Sequence, residues 1–198
     1  MNDRVIYHAA VKRSGHAFVG RMIRSWCDCP YVDMENFRIS QLRTLKLKSN
    51  VVLVLQTRDL LNWWASYSRS RSTMNTGMGQ IWYRIARLFY QDNLQEFKVV
   101  KVDFEQFFDS QEYRMGVCAA LDGIYNEDKL HHIALNGGGS SFSRTKYDGN
   151  AQEMPILERW KQVDPKIYPP LFANVKGLKN FYLKHSNDPE KINFVNSL

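Results

Sequence analysis

Two short segments of the chain combine anion-binding residue types with positions at the ends of predicted strands. The first lies between an apolar stretch at residues 4–11 and an amphipathic stretch at residues 16–26, and it reads Lys12, Arg13, Ser14, Gly15, His16, Ala17. A turn from a buried strand into a helix presents backbone N–H groups at the positive helix end, where phosphate or sulfate binds. The Gly-x-x-x-x-Gly-Lys-Ser/Thr pattern of a Walker A loop is absent. An ordinary turn with solvated cations is the alternative.

The second segment is an aliphatic strand that ends in a cation. Residues 51–56 are almost wholly apolar, Arg58 and Asp59 follow them, and Ser66 comes eight residues after Arg58. Open parallel sheets bind ligands at the carboxyl ends of their strands, so Arg58 and Ser66 form a second candidate anion site. The alternative is a structural ion pair between Arg58 and Asp59.

Positive charge is concentrated in the half of the chain that holds both segments. The formal net charge is +7, and the residues up to 91 contain fourteen Lys or Arg against five Asp or Glu. From residue 92 onward there are thirteen against fifteen. Such a surface attracts nucleic acid, anionic lipid or a phosphorylated small molecule, and charge alone does not choose among them.

The elements that must position these residues alternate between strand and helix. Strand-like stretches occur at residues 4–11, 31–33, 51–56 and 97–102, and helix-like stretches at residues 16–26, 36–48, 60–71, 80–95 and 111–121. A turn at residues 103–108, a glycine loop at 137–139 and helices at 152–162, 164–172 and 178–185 complete the predicted elements. The alternation predicts a three-layer α/β/α fold with a central, mostly parallel sheet, and the 198 residues predict a single domain, 1–198.

Composition narrows the class of protein. The chain is 44% hydrophobic and 24% charged, which is typical of a globular core, and its longest aliphatic run, residues 51–55, is too short to span a membrane. The first residues lack the long apolar core of a signal peptide. Three cysteines and five histidines without paired spacing predict a reduced protein with no metal site. We therefore expect a cytoplasmic protein without a membrane span.

Taken together and in this order, the two segments resemble the sulfotransferases that use 3′-phosphoadenosine 5′-phosphosulfate (PAPS). Residues 13–16 stand where that family has its 5′-phosphosulfate loop, and Arg58 and Ser66 have the spacing of its pair that grips the 3′-phosphate. Residues 97–107 look like a third family segment, a strand ending in a Tyr-Glu-Asp-Leu-type sequence. The likeness extends over residues 4–121, and residues 140–160 resemble the family more loosely.

The resemblance implies a P-loop-NTPase-like architecture and transfer of a sulfuryl group from PAPS to a hydroxyl or amine, for example of a carbohydrate, without a metal. It also implies a late basic loop that closes over the nucleotide, for which residues 141–146 are the candidate. The implied donor-binding residues are Lys12, Arg13, Ser14, Gly15, His16, Ala17, Arg58, Ser66, Arg144 and Lys146. The partners are then PAPS and an acceptor, with no nucleic acid expected.

Three positions depart from the family pattern. Arg13 replaces the usual Lys, His16 and Ala17 replace a Thr pair, and Leu60 replaces the Pro of Arg-Asp-Pro. Because Arg stays protonated, Arg13 is predicted to stabilise the departing phosphate and not to donate a proton. His16 is a candidate for the 5′-phosphate or for catalysis, with simple packing as the alternative.

A hydroxyl acceptor needs a general base. The family takes this His or Glu from the segment between its first helix and the 3′-phosphate strand, where this chain offers Glu35 and Asp33. Glu35 is the predicted base, and His8, His16 and Asp33 are the alternatives. Glu35 could instead charge a helix start, and His8, in an apolar run, could be a core histidine.

Two other function classes remain open at this point. A P-loop-like nucleotide kinase shares the fold and the anion turn, but should carry a Walker lysine and a Mg²⁺-binding carboxylate. A non-catalytic nucleotide-binding or nucleic-acid-binding protein would explain the basic first half and predicts steep salt dependence. The spacing between Arg58 and Ser66 favours the sulfotransferase.

Overall fold

The strands form one sheet in which every neighbouring pair is parallel. The computed structural model describes residues 4–36, 40–45, 50–70, 75, 77–91, 94, 98–133, 142–144 and 146–198. Its strands are β1 (Val5–Ala10), β2 (Tyr31–Glu35), β3 (Val51–Thr57) and β4 (Lys98–Asp103), in the order β2-β1-β3-β4. The α/β class with a parallel central sheet is confirmed.

The helices occupy both faces of this sheet. They are α1 (His16–Trp26), α2 (Ser40–Leu45), α3 (Leu60–Arg69), α4 (Gly77–Tyr90), α5 (Phe104–Asp109), α6 (Gln111–Ala120), α7 (Tyr168–Asn174), α8 (Leu178–His185) and α9 (Pro189–Ser197). Short 3₁₀ turns lie at Ala151–Glu153, Arg159–Gln162 and Pro165–Ile167. Among the described residues, none of the helices has the length and apolar character needed to cross a bilayer.

Alternation along β3 divides the core into two layers. Leu53 and Leu55 pack with α3, α4 and the C-terminal helices, whereas Val52 and Val54 pack with α1, α5 and α6. Successive strand residues point to opposite faces, so a strand covered on both faces must be apolar at every position. The uninterrupted aliphatic run therefore encodes the predicted three-layer arrangement.

The strand order creates a topological switch point between β1 and β3. From β1 the chain runs outward to β2, and it then returns to the other side of β1 to form β3. The connections that follow β1 and β3 consequently diverge, and open parallel sheets bind ligands in the crevice this leaves. Both candidate anion-binding segments begin at this crevice.

Several predicted elements were wrong in kind or extent. The turn expected at residues 103–108 is α5, which Asp103 caps by accepting from the Gln106 N–H at 3.0 Å. The helix expected at 152–162 is two separate 3₁₀ turns, because Pro155 interrupts the segment. Helix α9 was missed, although Asp188 before Pro189 is a typical helix start. The glycine loop at 137–139 lies outside the described residues.

Candidate anion-binding site

Residues 11–15, here named the anion loop, join β1 to α1 through two left-handed backbone positions. Arg13 has a φ of 69° and Gly15 a φ of 85°. A Cβ built on Gly15 would overlap the ring of Phe104. Gly15 therefore meets two demands, a left-handed conformation and a close approach, which explains why glycine stands immediately before the helix.

Three successive carbonyl groups of the anion loop are bound by side chains of one neighbouring segment, which runs from the end of β3 into α3. Trp63 Nε1 donates to Lys12 O at 2.8 Å, Arg58 Nη1 to Arg13 O at 3.2 Å, and Gln56 Nε2 to Ser14 O at 2.7 Å. The segment after β3 therefore holds all three carbonyls. At the start of α1, the N–H groups of Phe18 and Val19 donate to Gly15 O, whereas those of His16 and Ala17 have no acceptor among the described residues, and the N-cap Gly15 provides no side-chain bond.

Ser14 carries a buried hydroxyl in the anion loop. The residue is 1% exposed, and its hydroxyl has no hydrogen-bond partner among the described residues. A buried hydroxyl without a partner costs about 1–3 kcal/mol. An anion held at the helix start would provide that partner, so the loop fits a phosphate or sulfate group.

A chain of buried hydrogen bonds through Gln56, His8 and Tyr31 holds the Ser14 carbonyl of the anion loop. Gln56 gives its N–H to the Ser14 carbonyl, so its own oxygen must accept the proton on His8 Nε2, at 2.7 Å. His8 Nδ1 then accepts from the Tyr31 hydroxyl at 2.5 Å. Burial lowers the pKa of His8 to about 3, which keeps the ring neutral. His8 thus has the packing role considered from the sequence, and both ring nitrogens are engaged.

Arg58 is buried at the end of β3, with its guanidinium against the anion loop. Its side chain donates to Glu105 Oε1 and Ile156 O, both at 3.3 Å, in addition to Arg13 O. Three of its five N–H donors are engaged in these bonds. In the structure, Arg58, predicted from the sequence as a phosphate ligand, holds the loop in place.

Glu105 connects Arg58 to the start of α3. It accepts the Asp59 N–H at 2.9 Å and contacts the Asn62 amide at 3.4 Å. Burial raises the pKa of Glu105 to about 7, a shift that Arg58 opposes and Asp59 reinforces. Sequence reasoning missed this residue, since only the fold brings the end of β4 beside the end of β3.

Arg159 is a second buried arginine that sequence reasoning did not single out. Its Nη1 lies 3.5 Å from Ser66 Oγ, and its guanidinium lies 5.0 Å from the centre of the Phe142 ring. Burial, together with the positive charges of Arg58 and Arg13, lowers the pKa of Arg159 to about 8. The positive charges of Arg13 and Arg58 thus act on Arg159, which lies beside Ser66, and this arrangement favours an anion.

Three of the four candidate bases come together at the other side of the anion loop. Asp33 and Glu35 are two residues apart on β2 and thus share a face. His16 Nε2 lies 3.5 Å from Asp33 Oδ2 and 3.7 Å from Glu35 Oε1. This group, here named the His16 cluster, places an imidazole with two carboxylates at the first residue of α1.

The remaining predicted site residues are half-buried or exposed. Lys12 is half-buried, with its N–H bound to Asn36 Oδ1 at 3.1 Å, and Ala17 is half-buried in the first turn of α1. Arg144 and Lys146 are exposed, and Lys146 Nζ lies over its neighbouring Tyr147 ring at 5.3 Å. Phe142 of that segment lies against the Arg159 guanidinium. Residues 141 and 145 of the predicted closing loop lie outside the described residues.

Comparisons with known proteins found no match: no family model, no curated protein and no solved structure matches the chain. The resemblance to PAPS sulfotransferases therefore depends on this chain's own residues. In the described part of the chain, no three or more His, Cys, Asp or Glu side chains are grouped so as to hold a metal ion.

Proposed function

We propose that the protein is a PAPS-dependent sulfotransferase. The observation that carries the proposal is the presence of two anion-binding features at one switch point. The anion loop has a buried Ser14 hydroxyl without a partner among the described residues, and the charge of Arg13 acts on Arg159, which lies 3.5 Å from Ser66 Oγ. A donor with phosphate groups on both sides of its ribose requires two such features, and a simple phosphate requires one.

The chain's own residues divide into two binding groups. Ser14, Gly15 and the first N–H groups of α1 bind the 5′-phosphosulfate, and Arg13 places positive charge where the leaving oxygen becomes negative. Ser66 and Arg159 bind the 3′-phosphate, while Arg58 positions the loop. The donor supplies the activated sulfuryl group and leaves as 3′,5′-adenosine bisphosphate. Catalysis then depends chiefly on positioning and charge, as in phosphoryl transfer.

The His16 cluster removes the proton from the acceptor hydroxyl. An imidazole beside carboxylates is a familiar base, since the carboxylate orients the ring and stabilises its protonated form. Glu35 and Asp33 both lie within 4 Å of His16 Nε2, so the predicted base Glu35 and the alternatives His16 and Asp33 act as one group. Glu35→Gln should leave donor binding intact and lower turnover, by analogy with other general bases about 10²-fold or more.

The first experiment is a calorimetric titration with 3′,5′-adenosine bisphosphate, 5′-AMP and MgATP at two salt concentrations. We expect the bisphosphate to bind at least tenfold more tightly than 5′-AMP. Sulfuryl transfer from labelled PAPS to a panel of carbohydrate, phenol and amine acceptors follows. Preferential binding of MgATP would replace the proposal with a kinase, and equal, steeply salt-dependent binding of all three would indicate a polyanion-binding protein.

Two serines of α3 provide a matched test of the 3′-phosphate site. Ser66→Ala removes the hydroxyl beside Arg159, and Ser68→Ala removes one that donates to Ala65 O within the helix at 2.9 Å. We expect only Ser66→Ala to weaken binding of the bisphosphate, about tenfold, with 5′-AMP unaffected. Equal affinities in the two variants would remove Ser66 from the site.

A further inference from the structure

A cavity of about 480 Å³ borders the Arg58–Glu105 pair at the carboxyl edge of β3 and β4. Helices α4, α8 and α9 provide its other walls. Its volume is within the usual range of small-molecule sites, about 300–1,000 Å³. The roles assigned above to the anion loop, Ser66 and the His16 cluster do not use this cavity.

Three rings in mutual contact line part of the cavity. The Tyr90 and His185 rings are nearly parallel with centres 4.4 Å apart, and the Phe181 ring lies 4.6 Å from His185 and 5.9 Å from Tyr90. Burial lowers the pKa of His185, which favours the neutral ring at pH 7. This part of the lining is therefore an aromatic surface without a fixed positive charge.

Carboxylates outnumber cations in the rest of the cavity lining. Four of them line the cavity with two cations, and the six are Asp59, Asp103, Glu105, Asp188, Arg58 and Lys191. Both cations are paired: Arg58 lies 3.3 Å from Glu105, and Lys191 lies 3.3 Å from Asp59 and 3.5 Å from Asp188. The cavity lining is therefore net acidic, in a chain whose formal net charge is +7.

Asp103 is the carboxylate of this lining without a cation in those pairs. One of its oxygens accepts the Gln106 N–H, which caps α5. Burial raises the pKa of Asp103, the nearby Asp59 charge adds to the shift, and the Lys191 charge opposes it. A cation in the cavity would relieve the effects of burial and of Asp59, because a positive charge stabilises a buried carboxylate.

We infer that this cavity binds an organic cation, a primary amine carried on a flat apolar group. The amine would lie against Asp103 and the apolar group against the rings of Tyr90, Phe181 and His185, since aromatic faces attract both cations and flat apolar surfaces. An anion would meet an excess of carboxylates, and a neutral ligand would leave Asp103 with only the charge of Lys191, which also pairs with Asp59 and Asp188. The inference concerns a second site and does not depend on the identity of the donor nucleotide.

The test compares three probes of similar size: phenethylamine, 2-phenylethanol and 3-phenylpropionate, each titrated into the full chain by calorimetry. We expect phenethylamine to bind at least tenfold more tightly than the alcohol, and the carboxylate to bind most weakly. Equal binding of amine and alcohol, preference for the carboxylate, or no binding of the amine would each overturn the inference. Binding of the bisphosphate is titrated separately, so that failure of this inference can be distinguished from failure of the proposed function.

A matched pair of variants locates the amine. Asp103→Asn removes the charge and retains helix capping, since Asn caps as well as Asp. Asp109→Asn removes an exposed carboxylate from the other end of α5. We expect Asp103→Asn to weaken phenethylamine binding about tenfold and Asp109→Asn to leave it unchanged. Equal affinity in wild type and Asp103→Asn would show that the amine binds elsewhere.

Discussion

At the residue scale, the candidate site depends on a few side chains whose environments the fold makes unusual. Gly15 must accept a left-handed conformation against the Phe104 ring, and Ser14 buries a hydroxyl without a partner among the described residues. Arg13 also adopts a left-handed conformation, which costs a non-glycine residue about 1 kcal/mol or more. Such strain is typical of functional loops that the surrounding structure holds in place.

Gly15 and Gly149 have nearly the same φ, so comparing them separates the cost of the left-handed backbone from the cost of the overlap with Phe104. Gly149 has a φ of 90° with no atom within 4 Å of a built Cβ, so Gly149→Ala measures the conformational cost alone, about 1–2 kcal/mol. Gly15→Ala adds the overlap with Phe104, and we expect a loss of about 2–5 kcal/mol in the free energy of unfolding, with loss of bisphosphate binding. Chemical denaturation and calorimetry measure the two effects. Similar losses in both variants would contradict the close approach to Phe104.

At the element scale, the segment from β3 into α3 determines the shape of the anion loop. Its Gln56, Arg58 and Trp63 side chains bind three successive loop carbonyls. The sequence predicted a strand followed by a helix over this segment, with Arg58 as a ligand. It did not predict that the same segment would hold the loop, since the contacts join residues more than forty positions apart.

Adjacent tryptophans in α3 allow this role to be tested. Trp63 Nε1 donates to Lys12 O at 2.8 Å and Trp64 Nε1 to Ile167 O at 2.9 Å, and both side chains are fully buried. Replacing either by Phe leaves a carbonyl without its donor and should cost about 1–3 kcal/mol of stability. Only Trp63→Phe should weaken bisphosphate binding, ~10-fold, in a calorimetric titration. Equal effects of the two variants on binding would indicate general loosening and no specific role for Trp63.

At the scale of the whole molecule, the C-terminal helices complete the region around Arg58. Lys191 of α9 lies 3.3 Å from Asp59 Oδ2, and the Tyr182 hydroxyl of α8 donates to the same carboxylate at 2.9 Å. Asp59 also caps α3 by accepting the Asn62 N–H. The last part of the chain thus stabilises the helix start that follows β3.

Two lysines distinguish this buried contact from a surface one. Lys191→Met breaks a pair whose side chains are only 11% and 15% exposed, and we expect it to lower the free energy of unfolding by about 3 kcal/mol. Lys161, which pairs with Glu158 and Glu190 at the surface, should tolerate replacement by Met with little change. Thermal and urea unfolding of both variants provide the measurement. An unaffected Lys191→Met variant would show that α9 contributes little to the region around Asp59.

The sequence by itself determined the fold class and the positions of the two candidate anion-binding segments. The reason is local: an aliphatic run without alternation requires cover on both faces, and a glycine before an amphipathic stretch indicates a strand-to-helix turn. Sequence reasoning likewise placed Glu35, Asp33 and His16 among the candidate bases, and the structure brings them together.

Only the tertiary structure decided which side chains share an environment. It placed His8 behind the anion loop, engaged Arg58 with Glu105, and brought Arg159 to Ser66 from 93 positions away. Local patterns carry no information about such pairs, because contacts between distant segments follow from strand order and from the packing of both sheet faces. The burial that shifts the pKa values of His8, Glu105 and Arg159 has the same origin.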